Sequence, residues 1–204
     1  MISFKTILSS FVTLFLCAGL FCSSASAAML IVEDGQLMGA DDVDVNGTLY
    51  DVLFLDGAAE ELFSANGDDF AFTSLETADI ASQSLLDQVL LDDDSGLFDS
   101  APETISGISS ADYSLILTPY GYSPRGSGTG YYVDCSMIYN STSIEDSIYS
   151  NNIDPVYDTE NGQSGEIYVW AAWSEAAPVP IPGAVWLLGS GILGMIGIRR
   201  KIKH

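Results

Sequence analysis

Histidine, cysteine and basic residues are all scarce in this chain, and each scarcity excludes a class of function. The single histidine is His204, the last of the 204 residues printed. The residues before it contain no imidazole, so Ser-His-Asp and Cys-His catalysis are excluded there. Ordinary histidine-containing zinc sites are excluded for the same reason.

Basic residues are almost confined to the two ends of the chain. Six Lys and Arg stand against 28 Asp and Glu. Residues 28–177 hold all 28 acidic residues and a single basic one, Arg125, so this segment carries one positive charge against 28 negative, a net charge of −27. Such a surface repels nucleic acid and anionic membranes. Its acidic residues are scattered among hydrophobic and aromatic ones and are not gathered in one tail, which predicts a folded domain and not disorder.

Cysteine occurs at three positions, Cys17, Cys22 and Cys135. The first two lie in the N-terminal apolar segment, so Cys135 is the only thiol in residues 28–177 and no intrachain disulfide can form there. We expect Cys135 to be a buried small hydrophobic residue; an intermolecular disulfide is the alternative.

The first 27 residues have the three parts of a secretory signal peptide. Lys5 precedes an apolar run, and small residues follow it as Ala25-Ser26-Ala27-Ala28. This A-x-A pattern predicts cleavage after Ala27, with Ala25, Ala27 and Ala28 at the signal-peptidase site. The expected partners are the Sec translocon and signal peptidase.

Residues 178–204 combine a proline motif, an apolar run and a basic end. The motif Val179-Pro180-Ile181-Pro182 is followed by an uncharged run, 183–198, and a basic tail, 199–204. As a helix the run is about 24 Å long, which with its flanking residues approaches the hydrocarbon core of about 30 Å. The sequence therefore predicts a single transmembrane helix whose basic end stays in the cytoplasm.

The tail resembles the PEP-CTERM sorting signal in its VPxP-type variant, with Ile181 where that motif has its central Glu. The residues that carry the resemblance are Val179, Pro180, Ile181, Pro182, Gly189, Gly191, Arg199, Arg200 and Lys201. The resemblance implies export in a Gram-negative bacterium and recognition by an exosortase-type protease. It also implies transient anchoring in the inner membrane, followed by residence at the cell surface or in the extracellular matrix, in association with exopolysaccharide and biofilm.

More loosely, residues 28–177 resemble an ectodomain of unknown function found on PEP-CTERM proteins. The stretches that carry this resemblance are 46–52, 54–57, 62–63, 82–89 and 118–121. It implies no activity.

The clearest local signal in residues 28–177 is a β-hairpin. Asn46-Gly47 supplies the two positive-φ residues of a type I′ turn, which pairs Val45 with Thr48 and Val43 with Tyr50. Val43, Val45, Tyr50, Val52 and Phe54 then share one apolar face. Asp42, Asp44 and Asn46 also match the first half of an EF-hand loop, but Leu53 stands where that loop needs its bidentate Glu.

Apolar residues at helical spacing predict one main helix over about residues 74–91. Thr73 is the expected N-cap, and Glu76 completes a capping box. The core-facing stripe comprises Leu75, Ala78, Ser82, Leu85, Leu86, Val89 and Leu90.

An acidic stretch, 92–96, follows this helix. Negative charges at a helix C-terminus are unfavourable, and a bound cation would offset them. Asp92, Asp94 and Asp99 are therefore weak candidates for calcium ligands, with a solvated loop as the alternative. Calcium is the only cofactor that the sequence leaves open.

The remaining elements are short strands, and the predicted class is α+β. Antiparallel hairpins and a sheet pack with the main helix, flanked by an N-terminal signal helix and the C-terminal transmembrane helix. Further strands are expected at 29–32, 69–72, 113–117 (ended by Pro119), 131–133, 136–139 and 167–173. Residues 121–130 are expected to form a loop, and 140–165 are left unassigned.

These observations favour a non-enzymatic, exported surface or matrix protein. One alternative is a secreted glycoside hydrolase with a carboxylate pair, which a cleft holding two buried carboxylates flanked by aromatic side chains would favour. Another is a periplasmic protein tethered by an uncleaved tail. No nucleic-acid partner is expected.

Overall fold

The computed structural model describes residues 27–126, 130–157 and 167–177. These residues form a seven-stranded sheet, a two-stranded sheet and one main helix, which is compatible with the predicted α+β class. The strands are β1 Met29–Glu33, β2 Gln36–Val45, β3 Thr48–Leu55, β4 Asp92–Asp93, β5 Gly96–Leu97, β6 Tyr113–Pro124, β7 Tyr131–Ser141, β8 Ser147–Ile153 and β9 Tyr168–Glu175. The helices are α1 Ala59–Leu62 and α2 Leu75–Gln88, with a 3-10 helix at Pro102–Thr104.

The large sheet has the strand order β1-β2-β3-β9-β6-β7-β8. Strand β9 joins its two halves, because it pairs antiparallel with β3 and parallel with β6. The other neighbouring strands of this sheet are antiparallel. The last of the described strands therefore lies at the centre of the sheet.

The first and last strands bring both ends of the domain to one end of the sheet. Strands β1 and β9 run in opposite directions, so the start of β1 lies beside the end of β9. We call this the terminal end; it also carries the Asn46-Gly47 turn and the connection from β6 to β7. The far end carries the turn at residues 34–35 and the connection at 142–146.

The predicted hairpin is confirmed in strands β2 and β3. Val45 pairs with Thr48 and Val43 with Tyr50, and Asn46 and Gly47 have φ values of 54° and 89°. The five predicted apolar side chains all belong to the same core cluster. Local turn chemistry and strand alternation thus determine this part of the sheet.

The main helix is confirmed, but its predicted cap and end are wrong. Helix α2 begins at Leu75, and the Ser74 hydroxyl, not that of Thr73, accepts the Thr77 amide. The helix ends at Gln88 because Val89 leaves helical geometry, and the Leu90 amide folds back to the Leu85 carbonyl.

Core clusters lie on both faces of the large sheet. The face that packs on α2, here called the helix face, buries Val43, Val52, Ile116, Val169 and Trp173, among others. The opposite face, here called the tyrosine face, buries Leu115, Leu117, Cys135, Met137 and Trp170 with Ala59 and Phe70. Successive residues of β6 and β9 alternate between the two clusters, as strand geometry requires.

The strand predicted at residues 69–72 is wrong. This stretch has no strand partner, and the Phe70 amide closes a turn on the Gly67 carbonyl. Phe70 packs in the tyrosine-face cluster, whereas Phe72 packs in the helix-face cluster. The apolar residues alternate here because the segment packs Phe70 against one face of the sheet and Phe72 against the other.

Strand β6 is longer than predicted and runs through Pro119 to Pro124. The ladder with β9 ends at Leu117, and the register with β7 shifts between Pro119 and Gly121. Proline has no amide hydrogen to donate, and it is tolerated at this irregularity because the regular hydrogen-bond ladder is already interrupted there. The predicted loop therefore shortens, since residues 121–124 belong to the strand.

Two further differences concern the C-terminal half. Residues 131–141 form one continuous strand, and strand β8 lies in the stretch left unassigned. In β9, Val169, Ala171 and Trp173 share the helix face as predicted, but Ile167 packs in the tyrosine-face cluster. The polar composition of β8 concealed it, because an edge strand exposes many of its side chains.

Candidate functional site

The predicted sorting and processing residues fall mostly outside the described part of the chain. Ala27 and Ala28 are described; Ala28 packs against the helix-face core, and β1 starts at the next residue. The positions outside the described residues are Ala25, Val179, Pro180, Ile181, Pro182, Gly189, Gly191, Arg199, Arg200 and Lys201. Among the described helices, none is long and apolar enough to cross a membrane.

The weak calcium candidates lie in and after the small hairpin β4–β5. The Asp92 Oδ1 oxygen accepts the backbone amides of Asp99 and Ser100 at 3.1 and 3.0 Å. Hydrogen bonds from Ser100 and Asp99 lower the pKa of the Asp92 carboxyl. Asp94 is exposed in the turn. Within the described ranges, no three Asp, Glu, Cys or His side chains are grouped to hold a metal ion.

Asp99 instead contributes to an acidic groove on the helix face, at the far end of the sheet. The groove lies between α2 and the connection from β7 to β8, and its open volume is about 670 Å³. Its lining residues are Gln83, Leu86, Asp99, Ser141, Ile144, Glu145, Asp146, Ser147 and Ile148. Three acidic residues from two distant parts of the chain, Asp99, Glu145 and Asp146, therefore line the groove among aliphatic and polar side chains, although they are not grouped closely enough to hold a metal ion.

Within this groove, Asp146 is the carboxyl whose protonation the fold alters most clearly. Its Oδ1 accepts the Ser141 backbone amide at 2.9 Å. Burial raises the pKa of Asp146, whereas the hydrogen bond from the Ser141 amide lowers it. The charge of the nearby Asp99 and a side-chain hydrogen bond with Asp99 raise it further. A carboxyl with a raised pKa beside a second carboxylate is a candidate for proton transfer.

The tyrosine face carries a second candidate site, which sequence reasoning missed. At the far end of the sheet, β6, β7, β8 and β9 each place a tyrosine on this face, and a fifth lies in the turn after β8. We call these residues the tyrosine surface: Tyr113, Tyr139, Tyr149, Tyr157 and Tyr168.

Four of the five rings form two pairs in direct contact, and Tyr149 lies on the neighbouring strand of the same face. Tyr113 and Tyr139 stack with centroids 5.1 Å apart and planes 18° apart. Tyr157 and Tyr168 meet edge to face at 5.6 Å. Tyr149 is 41% exposed, and the other four are half-buried. The patch therefore presents apolar ring surface and phenolic hydroxyls to solvent together.

The phenols of Tyr149 and Tyr168 remain protonated at neutral pH because their pKa values are raised. Burial raises the pKa of Tyr149 and of Tyr168, and the neighbouring tyrosines raise both further. Each hydroxyl can then donate and accept a hydrogen bond. The sequence signal for the patch is weak, because Tyr149 and Tyr157 fall in the unassigned stretch and the other three belong to separate strands.

The remaining half of the tyrosine face is covered by the chain itself. Phe63 and Phe70 pack edge to face over this half, with Phe63 on Trp170 and the Phe70 ring tilted against Tyr122. The Tyr122 hydroxyl donates to the Ser64 carbonyl at 2.8 Å. This cover seals the buried core there, whereas the tyrosine surface lies beyond it.

Cys135 is buried in the centre of the tyrosine-face cluster, as predicted. It is a free thiol. Desolvation raises its pKa well above the ordinary value, with a further contribution from Asp134. A thiol in this environment is a packing residue and a poor nucleophile.

Comparison of the chain with family models, with curated proteins and with solved structures gave no match.

Proposed function

We propose that this chain is an exported surface or matrix protein, sorted by an exosortase-type protease and associated with exopolysaccharide. The observation that carries the proposal is the tail, in which a proline motif, an uncharged apolar run and a basic end follow one another in PEP-CTERM order. The fold is consistent with this arrangement, because its strands begin at Met29 and end at Glu175. The described strands thus all lie in the sequence between the two predicted end segments.

In this proposal the ends act in succession. The Sec translocon exports the chain, signal peptidase cuts after Ala27, and the apolar run 183–198 holds the product in the inner membrane. Pro180 and Pro182 prevent a regular helix just outside the membrane, which leaves an extended backbone that a protease can bind. Release then delivers the acidic domain to the cell surface or matrix.

The topology supports a defined orientation for the anchored protein. Both ends of the domain lie at the terminal end of the sheet, so an anchored tail would keep that end near the membrane. The far end, with the acidic groove and the tyrosine surface, would then face away from the bilayer. A non-enzymatic, binding role fits this geometry.

Mass spectrometry of the mature protein from the native host tests the proposal. We expect an N-terminus at Ala28 and a C-terminus near residues 179–182. Replacing Pro180 and Pro182 with alanine should leave the tail intact and the protein in the membrane fraction, whereas Ser164→Ala should be processed like the wild type. An intact wild-type tail in the membrane would indicate the tethered periplasmic protein instead. Full-length protein in the cytosol with residues 1–27 attached would refute export.

Calcium extends the proposal to anionic polysaccharides. With a net charge of −27 in residues 28–177, the domain repels such a polymer unless divalent cations bridge the two. We therefore expect retention in an acidic matrix to require calcium. Two measurements test this expectation, each made with added calcium and with a chelator: the thermal melting curve and the fraction of protein retained in the matrix. Identical melting curves and unchanged retention would remove calcium from the proposal.

A second candidate function is glycoside hydrolysis, and the raised pKa of Asp146 is the one observation that favours it. The groove lining contains no aromatic residue, and the side-chain hydrogen bond between Asp146 and Asp99 places these carboxyls closer than the separation of about 5 Å or more that such enzymes use. Burial and the Asp99 charge raise the pKa of Asp146, as a general acid requires. Release of reducing sugar from a panel of glucans, galactans and mannans tests it. The hydrolase would be established if the wild type is active, Asp146→Asn is inactive and Glu145→Gln keeps the activity. If the wild type is inactive on every polysaccharide of the panel, the binding protein remains the proposal.

A further inference from the structure

The tyrosine surface combines two properties that a buried core does not need. Two pairs of its rings pack against each other and yet remain partly exposed, and Tyr149 beside them is exposed over 41% of its area. The neighbouring half of the same face is covered by Phe63 and Phe70. Exposed, contiguous aromatic area on a soluble domain marks an interaction site more often than an accident of packing.

The chemistry of the patch selects a class of partner. Each phenol offers a flat apolar ring and, at its edge, a hydroxyl that donates and accepts. A sugar ring offers the complementary pattern, with C–H groups on its faces and hydroxyls around its rim. The side chain of Asn151 lies on the same face of β8 as Tyr149, and its amide adds hydrogen-bonding capacity beside the rings.

The negative net charge of the domain excludes further classes of partner. Nucleobases also stack on tyrosine, but nucleic acid carries a phosphate for every base, and a domain with a net charge of −27 repels it. Anionic polysaccharides are repelled in the same way. A neutral glycan meets no such repulsion.

The extent of the patch indicates a chain and not a single sugar. It crosses four adjacent strands, β9, β6, β7 and β8. Three strand spacings of about 4.8 Å give a width of about 14 Å, which accommodates several linked sugar rings.

We propose that the tyrosine surface binds a neutral polysaccharide chain, with its rings stacked on Tyr149 and on the Tyr113–Tyr139 pair. This deepens the proposed function and rests on it, because matrix association then occurs through this face at the far end of the sheet. Tyr149 and Tyr168 keep their protons well into the alkaline range, so binding should not change between pH 6 and about 9.

Affinity electrophoresis of the full-length protein in detergent tests this inference. Native gels would contain hydroxyethyl cellulose, dextran or galactomannan as neutral probes, and alginate as an anionic one. We expect retardation by at least one neutral polymer and none by alginate without calcium. Tyr149→Ala should weaken binding by about fivefold or more, because it removes the most exposed ring. Tyr149→Phe, which keeps the ring, should retain most of the affinity.

Ile144→Ala is the matched control, since Ile144 is 61% exposed and lies in the acidic groove. It should leave retardation unchanged, and circular dichroism should show that all three variants fold. If no neutral polymer retards the wild type, or if Tyr149→Ala migrates like the wild type in every gel, the inference is wrong. If Tyr149→Ala instead converts a dimer to a monomer with no effect of any polymer, the surface joins two copies of the chain.

The two proposals fail separately. Correct processing in cells with no retardation in gels would remove the glycan site and leave the sorting proposal standing. If the tail is never cut, but polymers retard the wild type and Tyr149→Ala abolishes this retardation, the sorting proposal is removed and the glycan site stands.

Discussion

The indole Nε1 of Trp173 donates a hydrogen bond of 3.3 Å to the hydroxyl oxygen of Thr118, which also accepts one of 3.3 Å from Ser82. The three side chains are buried and tie β9, β6 and α2 together. Thr118→Val removes the shared acceptor without changing the volume much, so two buried donors lose their partner. We expect a loss of about 2 kcal/mol in unfolding free energy, or roughly 4–8 °C in Tm, measured by urea and thermal denaturation.

Thr142→Val is the control for that change, because Thr142 is exposed. It should shift the unfolding free energy by no more than about 0.5 kcal/mol. Equal stability of the two variants would show that the Ser82–Thr118–Trp173 network does not stabilise the fold.

Gly39 is predicted to be irreplaceable, because a β-carbon there would overlap the carbonyl oxygen of Val52 on the neighbouring strand. Gly39→Ala must push β2 away from β3, and we expect a loss of about 3 kcal/mol or more. Gly35→Ala is the comparison, since Gly35 has a φ of 84° but nothing within 4 Å. It should cost only the backbone strain of about 1–2 kcal/mol. Equal losses for the two variants, measured by urea denaturation, would contradict the clash.

Asp146 should make stability depend on pH in the acidic range. Its pKa is raised in the folded state, so the native protein binds the proton more tightly than the unfolded chain does. Stability from this group is full below the unfolded pKa near 3.8 and is lost as pH rises through the folded pKa. Asp146→Asn should therefore raise stability at pH 7, by roughly 0.5 kcal/mol after allowance for solvent screening.

Thermal melts from pH 3 to pH 7 measure this effect. The gain from Asp146→Asn should disappear at the acid end of the series, where the native carboxyl is already protonated. Glu145→Gln is the control, because it removes the same charge from an exposed neighbour in this groove and leaves the Ser141–Asp146 hydrogen bond in place. A stability gain of Asp146→Asn that stays constant with pH would contradict the assignment.

Cys135 should be inert in the native protein and reactive only after unfolding. It is fully buried and its pKa is raised by desolvation, so little thiolate is exposed to reagents. With the mature protein, a disulfide-exchange reagent should label about one thiol in denaturant and almost none without it. Rapid native labelling, or a dimer on a non-reducing gel, would favour the intermolecular disulfide.

What the sequence predicts well is local. The Asn46-Gly47 turn pairs its own flanking strands, and the helical stripe from Ala78 to Leu85 needs only short-range periodicity. The cap was misplaced by one residue because Thr73 and Ser74 are both good N-cap residues, and only the structure distinguishes them. The burial of Cys135 was predictable because it is the only thiol in residues 28–177 and a free cysteine usually packs as a small hydrophobic residue.

What the sequence does not predict is the assembly of distant segments. The polar strand β8 lacks the alternation that identifies a strand, and it pairs only because β7 lies beside it. Likewise Asp99 and Asp146 come together across the fold, and Tyr113 and Tyr168 become neighbours through the parallel pairing of β6 with β9. Both candidate sites depend on such contacts, so composition alone conceals them.

Placement of the final strand at the centre of the sheet has a consequence for biogenesis. Strands β1–β3 and β6–β8 share no backbone partner until residues 168–175 arrive between them. A ribosome or a protein-conducting channel delivers those residues after all the other described strands, so the two halves remain separate, incomplete sheets until then. The domain can therefore remain unfolded enough to cross a translocation channel until β9 emerges, and only then can the seven-stranded sheet form.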